Sequence, residues 1–284
     1  MRSRTWMTLS ASIGLALVFG LAPVRSLDGQ EAGGGATTQK KSYETIEFPS
    51  LDGLKITGDL YRAHSDPKTP FLLLCHQAGW SRGEYREIAP KLNAMGFNCL
   101  AIDQRSGGEI LGVRNETAAR ATAAKKGTTY LDARPDIVAA LRMLRKEKHA
   151  RGKLIAVGSS YSSALVLQIV GSEKKIADGV ISFAPGEYFT RFGESATFVQ
   201  AGASKLKVPV FITSAKNEGG QWRAIFGAIP SKRKVSFLPT TAGQHGARAL
   251  WERFPDHPAY WEALTQFLDR NFPRKRAGGA KKGR

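Results

Sequence analysis

The fold of this chain is decided by residues 154–164, which read LIAVGSSYSSA. An apolar run typical of a buried strand ends in small residues and continues into an apolar helical segment. A tight turn of this kind, which lifts a nucleophilic side chain off the sheet, accepts only small residues two positions before and after the nucleophile. Gly158 and Ser162 meet this requirement around Ser160, which we take as the candidate nucleophile. Ser162 fits that role worse because it would lie within the helix, and an ordinary strand–helix turn is the competing interpretation.

Short apolar runs alternate with longer amphipathic segments on both sides of this stretch. The first two runs flank Asp52-Gly53, a pair typical of hairpin turns, and the six that follow are apolar on both faces, as in central parallel strands. The predicted strands are 43–50, 54–63, 71–75, 98–103, 153–158, 178–184, 208–214 and 234–240. The predicted helices are 83–95, 132–148, 160–171, 221–228 and 258–271. The pattern predicts one α/β domain with an eight-stranded, mostly parallel sheet and helices on both faces.

A serine hydroxyl becomes a good nucleophile only when a base takes its proton and an acid orients that base. Among the five histidines, His245 lies in a glycine-flanked loop after the last predicted strand, where a side chain can reach the carboxyl edge of the sheet. The acid should follow the preceding strand, and residues 208–220 contain a single carboxylate, that of Glu218. The order Ser160, Glu218, His245 along the chain is the order that this architecture uses.

Addition of a nucleophile to a carbonyl group creates an oxyanion, which two backbone N–H groups can stabilise. We expect one donor to be the amide of Tyr161, because it directly follows the candidate nucleophile. The other should come from the loop after the strand at 71–75, and we favour the amide of Ala78 in that loop. His76, at the start of the loop, is expected to brace it rather than to react.

Taken together, these segments resemble the α/β-hydrolase superfamily, most closely its dienelactone-hydrolase-like secreted serine hydrolases. The matching motifs are HQAG (76–79), AIDQRSGG (101–108), GSSYSS (158–163), SAKNE (214–218) and GQHG (243–246). The resemblance covers roughly residues 43–272 and implies an α/β-hydrolase fold without a large cap domain. It also implies that Ser160 is the nucleophile, Glu218 the acid and His245 the base, with the amides of Ala78 and Tyr161 as the oxyanion hole.

Four positions differ from the usual pattern of that family. Gln77 replaces the glycine of the His-Gly pair, Ser106 replaces a glycine of the D-x-R-G-x-G turn, and Ser162 replaces the second glycine of the elbow. Glu218 is one methylene longer than the commoner aspartate. Dienelactone hydrolase itself has cysteine at the elbow, so the resemblance does not extend to lactone cleavage.

The leading hypothesis is a serine hydrolase that cleaves a small or medium carboxylic ester through an acyl-enzyme. A thioesterase or a peptidase using the same three residues stays open as an alternative, and so does a non-catalytic binding protein with this fold. The insertions at 107–131 and 186–207 are too short for a lipase-type lid, which predicts an open site. We expect a small-molecule ester as partner and no metal or cofactor, because the chain has no H-E-x-x-H, C-x-x-C or Walker motif.

The chain has 284 residues and a formal charge of +18, which raises the question of a nucleic-acid partner. Nine basic residues and no acidic ones lie in residues 1–26 and 273–284, so half of the excess charge is at the two ends. No nucleic-acid-binding motif accompanies this charge, and we expect no nucleic-acid partner.

The two ends are predicted to be targeting and surface segments. Residues 1–26 combine the basic, apolar and small-residue parts of a secretory signal peptide, which predicts a periplasmic or extracellular protein. An uncleaved membrane anchor is the alternative. Residues 27–42 have the composition of a flexible linker, and residues 273–284 that of a basic disordered tail suited to weak contact with an anionic surface. The catalytic domain is therefore predicted to span residues 43–272.

Overall fold

An eight-stranded sheet runs through the middle of the computed structural model, which describes residues 42–146 and 151–274. The strands in chain order are β1 (Glu44–Pro49), β2 (Lys55–Tyr61), β3 (Phe71–Cys75), β4 (Asn98–Ile102), β5 (Glu109–Ile110), β6 (Val113–Arg114), β7 (Leu154–Ser159), β8 (Gly179–Phe183), β9 (Val210–Thr213) and β10 (Lys234–Phe237). The large sheet has the order β1-β2-β4-β3-β7-β8-β9-β10, and β5 and β6 form a separate hairpin. Strand β2 is antiparallel to both neighbours, and every other adjacent pair in the large sheet is parallel. The predicted sheet is confirmed, with strand ends moved by three residues or fewer.

Helices cover both faces of this sheet, as predicted. They are α1 (Ile88–Ala94), α2 (Glu116–Ala123), α3 (Arg134–Lys146), α4 (Tyr161–Ser172), α5 (Phe198–Ala203), α6 (Gly219–Ala228) and α7 (His257–Asn271). Alternate residues of β3 face opposite ways: Leu73 packs with α3 and α4, whereas Leu72 and Leu74 pack with α1 and α7. Because both faces are covered, the central strands are apolar throughout, which is the pattern that identified them.

The two segments predicted to be insertions contain short elements of secondary structure. Segment 107–131 contains the β5–β6 hairpin and α2, and segment 186–207 contains α5. Asn115 caps the N-terminus of α2, and its side chain accepts a hydrogen bond of 2.7 Å from the amide of Ala118. Neither segment forms a separate cap domain within the described residues. The predicted signal peptide 1–26 lies outside those residues, as do nearly all of the linker and most of the basic tail.

None of the helices that the structure describes is long and apolar enough to cross a membrane.

A buried ion cluster fastens the turn after β4 to the first hairpin and to α3. The Asp136 carboxylate accepts hydrogen bonds from the Arg105 side chain at 2.7 Å, from the Arg105 amide at 2.9 Å and from the Ser50 hydroxyl at 2.7 Å. The Arg105 guanidinium also binds Asp52 at 2.8 Å and holds the pKa of that carboxyl well below its usual range. Because Asp136 lies in the first turn of α3, the helix dipole favours its negative charge as well.

Replacing Asp136 by alanine should be strongly destabilising, because it leaves the Arg105 guanidinium buried with only one carboxylate partner. We expect D136A to lower the free energy of unfolding by about 3–5 kcal/mol, measured by urea denaturation. The Asp52 side chain is 35% exposed, and D52A should cost about 1 kcal/mol or less. Equal losses in the two variants would contradict this account of the cluster.

Candidate active site

The turn between β7 and α4 holds Ser160 in a backbone conformation that L-residues rarely adopt. Its φ is 58° and its ψ is −124°. Such conformations cost free energy and persist only where the surrounding structure enforces them. Here the Ser160 amide donates to the carbonyl of Phe183 at 2.8 Å, and the carbonyl of Ser160 accepts from the Ser163 amide at 2.9 Å. The turn therefore has the geometry of a nucleophile elbow, with Ser160 at its apex.

The two residues that flank the elbow show why it needs small side chains. A Cβ on Gly158 would lie 2.4 Å from the carbonyl oxygen of Ser162, so no side chain fits there. Ser162 does fit, because its hydroxyl is used. It accepts a hydrogen bond of 2.9 Å from the Ser159 amide and donates one of 2.8 Å to the carbonyl of Cys75 on β3. The departure from glycine at this position thus adds a link between the elbow and the neighbouring strand.

Glu218 and His245 lie on separate loops and their side chains meet. Glu218 ends a 3-10 turn that starts three residues after β9, and His245 follows β10 in a loop with Gly243 and Gly246 at positive φ. The distance from His245 Nδ1 to Glu218 Oε1 is 2.6 Å. Because a carboxylate only accepts hydrogen bonds, Nδ1 carries the hydrogen. The other ring nitrogen, Nε2, is therefore the one free to act as a base.

Helix α7 and one lysine hold these two loops against each other. The Tyr260 hydroxyl donates to the carbonyl of Ser214 at 3.0 Å and accepts from the amide of Gln244 at 3.3 Å. The Lys216 amide donates to the carbonyl of Ala242 at 2.9 Å. A Cβ on Gly243 would lie 2.2 Å from the Tyr260 hydroxyl, so a glycine is required where the loop passes over α7.

Strand register places the two expected oxyanion donors side by side along the sheet. Cys75 on β3 pairs with Gly158 on β7, and Ala78 and Tyr161 each lie three residues beyond their paired strand residue. Among the hydrogen bonds of the described residues, neither the Ala78 amide nor the Tyr161 amide has a partner. Both N–H groups are therefore free to bind an oxygen at the edge of the sheet where Ser160 stands.

His76 braces the loop that carries Ala78. Its Nδ1–H donates to the carbonyl of Gln77 at 2.8 Å, and its Nε2 accepts from the amide of Gln104 at 3.0 Å. Complete burial lowers the pKa of His76 to about 4, so the ring stays neutral near pH 7. A neutral ring with both nitrogens engaged has a structural role, as the sequence analysis expected.

The hydroxyl of Ser160 makes no hydrogen bond to His245, nor to any other residue in the described ranges. Its side chain is not sealed in, since the residue is 9% exposed and His245 is half-buried. Catalytic hydrogen bonds in ligand-free sites are often long and tighten only when substrate binds. The structure thus brings Glu218 and His245 together and leaves the Ser160–His245 contact open.

Several aromatic rings pack together around Tyr161, the residue after Ser160, and in the segment 186–207. The Tyr161 ring is fully buried and stacks on Tyr130 with ring centroids 4.6 Å apart. The ring of Phe192 packs edge-on against the Tyr130 ring, with centroids 5.6 Å apart. The Arg191 guanidinium lies 4.6 Å from the centroid of the Tyr130 ring. Phe198, at the start of α5, packs edge-on against the buried ring of Phe189. Most of these rings therefore pack against one another.

Two residues of the site, Glu84 and Ser159, are not predicted by the sequence patterns. The Glu84 carboxylate is completely buried and accepts hydrogen bonds from the Gln77 amide at 2.8 Å and from the Ser159 hydroxyl at 2.7 Å. Its sequence context, RGEYRE, is that of an ordinary polar turn before a helix. No local pattern distinguishes it, because its partner Ser159 lies 75 residues away in the chain.

The strand order, the elbow and the helices on both faces define the α/β-hydrolase fold, as the resemblance implied. Solved structures with similar folds include the esterase Pf2001 of Pyrococcus furiosus, with a TM-score of 0.61 and 18% identity over 80% of this chain and 92% of that one. The dienelactone hydrolase of Anabaena variabilis has a TM-score of 0.62 and 14% identity over 82% of this chain and 100% of that one.

A third similar structure is the acylaminoacyl peptidase of Pyrococcus horikoshii, with a TM-score of 0.59 and 17% identity. The match covers 84% of this chain but 43% of the peptidase. No protein-family model and no curated protein matches the sequence. At these identities the structural similarity establishes the fold, and the chemistry has to be argued from the site.

No group of three or more histidine, cysteine, aspartate or glutamate side chains in the described part of the chain is arranged to hold a metal ion.

Replacing Ser162 by alanine should loosen the elbow, because the buried Ser159 amide loses its acceptor and the Cys75 carbonyl loses one of its two side-chain donors. We expect S162A to lower the free energy of unfolding by about 1–3 kcal/mol, measured by urea denaturation. The matched control is S204A, at an exposed helix end, which should cost about 0.5 kcal/mol or less. Indistinguishable unfolding curves for the two variants would show that the Ser162 hydroxyl does not support the turn.

Proposed function

We propose that this chain is a serine hydrolase that cleaves a small or medium carboxylic ester through an acyl-enzyme. The observation that carries the proposal is the 2.6 Å contact between Glu218 and His245, two residues from different loops. It occurs at the carboxyl edge of a sheet where Ser160 is held at positive φ. A fold that served only as a binding scaffold would have no physical need for this combination. The esterase and the dienelactone hydrolase with similar folds support a hydrolase.

The proposed reaction uses the five residues in complementary roles. The Ser160 oxygen attacks the ester carbonyl carbon while His245 Nε2 takes the hydroxyl proton, and Glu218 stabilises the imidazolium through Nδ1–H. The amides of Ala78 and Tyr161 hold the resulting oxyanion. When the C–O bond to the alcohol breaks, the alcohol leaves with the proton from His245. A water molecule then attacks the acyl-enzyme by the same steps, releasing the acid and restoring Ser160.

The size of the expected substrate follows from the surroundings of Ser160. The described insertions form short elements rather than a cap, which leaves the site open on the outside. On the inside, Tyr161, the residue after the proposed nucleophile, stacks on Tyr130, and Phe192 packs edge-on against Tyr130. This arrangement supports a small or medium acyl group. Thioesters and peptides present the same carbonyl chemistry, and a substrate panel separates them from esters.

Labelling by a fluorophosphonate probe tests the nucleophile. The wild-type full-length chain should be labelled and should hydrolyse p-nitrophenyl esters of short acids. S160A should show no labelling and a rate at least about 10³-fold lower, because the other residues have no nucleophile to activate. S204A, at an exposed helix end, is the matched control and should retain both labelling and rate. S162A should also be labelled, because Ser162 supports the turn and is not the proposed nucleophile.

Labelling that persists in S160A would overturn the assignment of the nucleophile. An unlabelled wild-type chain that hydrolyses no ester, thioester or peptide would favour the non-catalytic alternative. Faster cleavage of thioesters or of peptide substrates than of matched esters would replace the ester hypothesis while leaving the three residues in place.

We further propose that residues 1–26 direct export and are removed, and that the basic tail at 273–284 then meets an anionic cell surface weakly. The supporting features are the basic, apolar and small-residue parts of the N-terminal segment and the lack of acidic residues in the tail. Expression in a bacterium followed by fractionation should recover the protein outside the cytoplasm. Sequencing of its new N-terminus should place it near residue 27, whereas an intact N-terminus in the membrane fraction would indicate an anchor.

A further inference from the structure

One buried carboxylate connects the three loops that form the candidate site. Glu84 Oε2 accepts from the amide of Gln77, the residue before Ala78. Glu84 Oε1 accepts from the hydroxyl of Ser159, the residue before Ser160. The Ser159 oxygen in turn accepts a hydrogen bond of 2.8 Å from the amide of Ala247, two residues after His245.

The loop that carries His245 (the histidine loop, residues 243–247) passes in close contact with Ser159. A Cβ on Gly246 would lie 2.6 Å from the Ser159 oxygen, so the loop can approach this closely only with glycine there. The position of His245 is therefore set partly by the orientation of the Ser159 hydroxyl. That orientation depends on Glu84, which is the acceptor for the hydroxyl hydrogen.

We propose that Glu84, as a carboxylate, is a positioning residue that keeps the oxyanion loop, the elbow and the histidine loop in register. The inference rests on the proposed function, since it assigns Glu84 an effect on the same reaction. Glu84 contacts none of the three proposed catalytic side chains through its own carboxylate. It acts through Gln77, Ser159 and Ala247, each adjacent or nearly adjacent to a residue of the proposed machinery.

Hydrogen-bond counting shows why the charged form is required. A carboxylate accepts at both oxygens, so it can hold the Gln77 amide and the Ser159 hydroxyl at the same time. A protonated carboxyl group can still accept from Gln77 at one oxygen, but the other oxygen then donates toward Ser159. The hydrogen of the Ser159 hydroxyl loses its acceptor and has to turn away. Protonation thus disturbs the link to the elbow and to the histidine loop.

The groups that face Glu84 determine the pH at which its carboxylate is protonated. Complete burial raises the pKa of Glu84 to about 7, and the Ser159 and Gln77 hydrogen bonds favour the ionised form. His245 and Arg248, from the loop after β10, also favour the ionised form.

The other titratable side chains that interact with the Glu84 carboxylate are the Cys75 thiol and the Tyr85 hydroxyl. Burial raises the pKa of the Cys75 thiol on β3 and that of the Tyr85 hydroxyl in the adjoining 3-10 turn, so both stay neutral. The Tyr85 hydroxyl donates to the Cys75 carbonyl, and the Trp251 indole donates to the main-chain carbonyl of Glu84. Nearby, the guanidinium of Arg82 is occupied by Asp59 and Asp103. No cation pairs directly with the Glu84 carboxylate within the described residues.

The pH profile of kcat/KM tests the proposal. In the wild type the active form needs an ionised Glu84, so the titration of Glu84 should add about 1 to the acid-side slope of log kcat/KM against pH. In E84Q this titration is gone, so the slope should fall by about 1 from the wild-type value, and kcat should drop more than KM changes. E87Q is the matched control, because Glu87 lies near the surface three residues along the chain and should leave the wild-type slope unchanged.

The variant S159A provides a second test that keeps the buried carboxyl group in place. Without the Ser159 hydroxyl, protonation of Glu84 no longer affects the elbow or the histidine loop. The acid-side slope of S159A should therefore also fall by about 1 from the wild-type value. Both E84Q and S159A should fold, as checked by circular dichroism, and if E84Q does not, S159A alone decides.

A stability measurement tests the protonation of Glu84 without any activity. A carboxyl group whose pKa is raised on folding stabilises the folded state at low pH and loses that contribution as pH rises through the folded-state pKa. The difference in Tm between E84Q and the wild type should therefore grow in favour of E84Q between about pH 5 and about pH 8.

The outcomes separate this inference from the proposed function. Ser160-dependent hydrolysis in the wild type, together with the wild-type slope in both E84Q and S159A, would overturn the positioning role alone. A uniform loss of rate at every pH with an unchanged slope would likewise show that Glu84 is merely structural. If the wild type shows no Ser160-dependent reaction, the proposed function fails. A pH-independent Tm difference would then separately refute the titration of Glu84.

Discussion

The tight passage from β7 into α4 is the constraint on which the rest of the site depends. Within one residue the chain has to leave a strand and enter a helix, and Ser160 takes up this change at φ 58°. The passage excludes a side chain at position 158. At position 162 it holds a serine, whose hydroxyl bonds to the Ser159 amide and to β3. In exchange it lifts Ser160 off the carboxyl edge of the sheet. Every other residue of the site is useful only in relation to that point.

Parallel pairing turns distant segments of the chain into neighbours at that edge. Strands β3, β7, β9 and β10 all end there, and the loops that follow them carry the proposed oxyanion amide, nucleophile, acid and base. The pairing register sets the relative height of the loops, as the equal spacing of Ala78 and Tyr161 beyond paired residues shows. Contacts such as that of Tyr260 with both Ser214 and Gln244 then adjust each loop individually.

The elements that sequence patterns missed are those too short to show a period. Helix α5 has six residues and the strands of the β5–β6 hairpin have two each, so neither builds up a recognisable alternation. Helix α2 did carry a readable signal, the capping residue Asn115 followed by a charged first turn. The predicted helix at 83–95 divides into a 3-10 turn, Arg82–Tyr85, and α1, and Glu84 lies in that turn. Its burial there depends on packing against Trp251 and Ser159, which are far away in the chain.

The sequence by itself determined the α/β class, the strands of the main sheet and the position of the elbow. Apolar runs and small-residue turns are local properties of the sequence, so they can be recognised without knowing which distant segments come into contact. The sequence also indicated Ser160, Glu218 and His245 as candidates. Each lies in a loop that directly follows a predicted strand, and their order along the chain is the one that this architecture uses. Only the tertiary structure decided that Glu218 and His245 touch, that Ser162 bonds to β3 and that Glu84 is sealed beneath three loops. Those facts depend on distances between residues remote in the chain, and a local pattern contains no information about such distances.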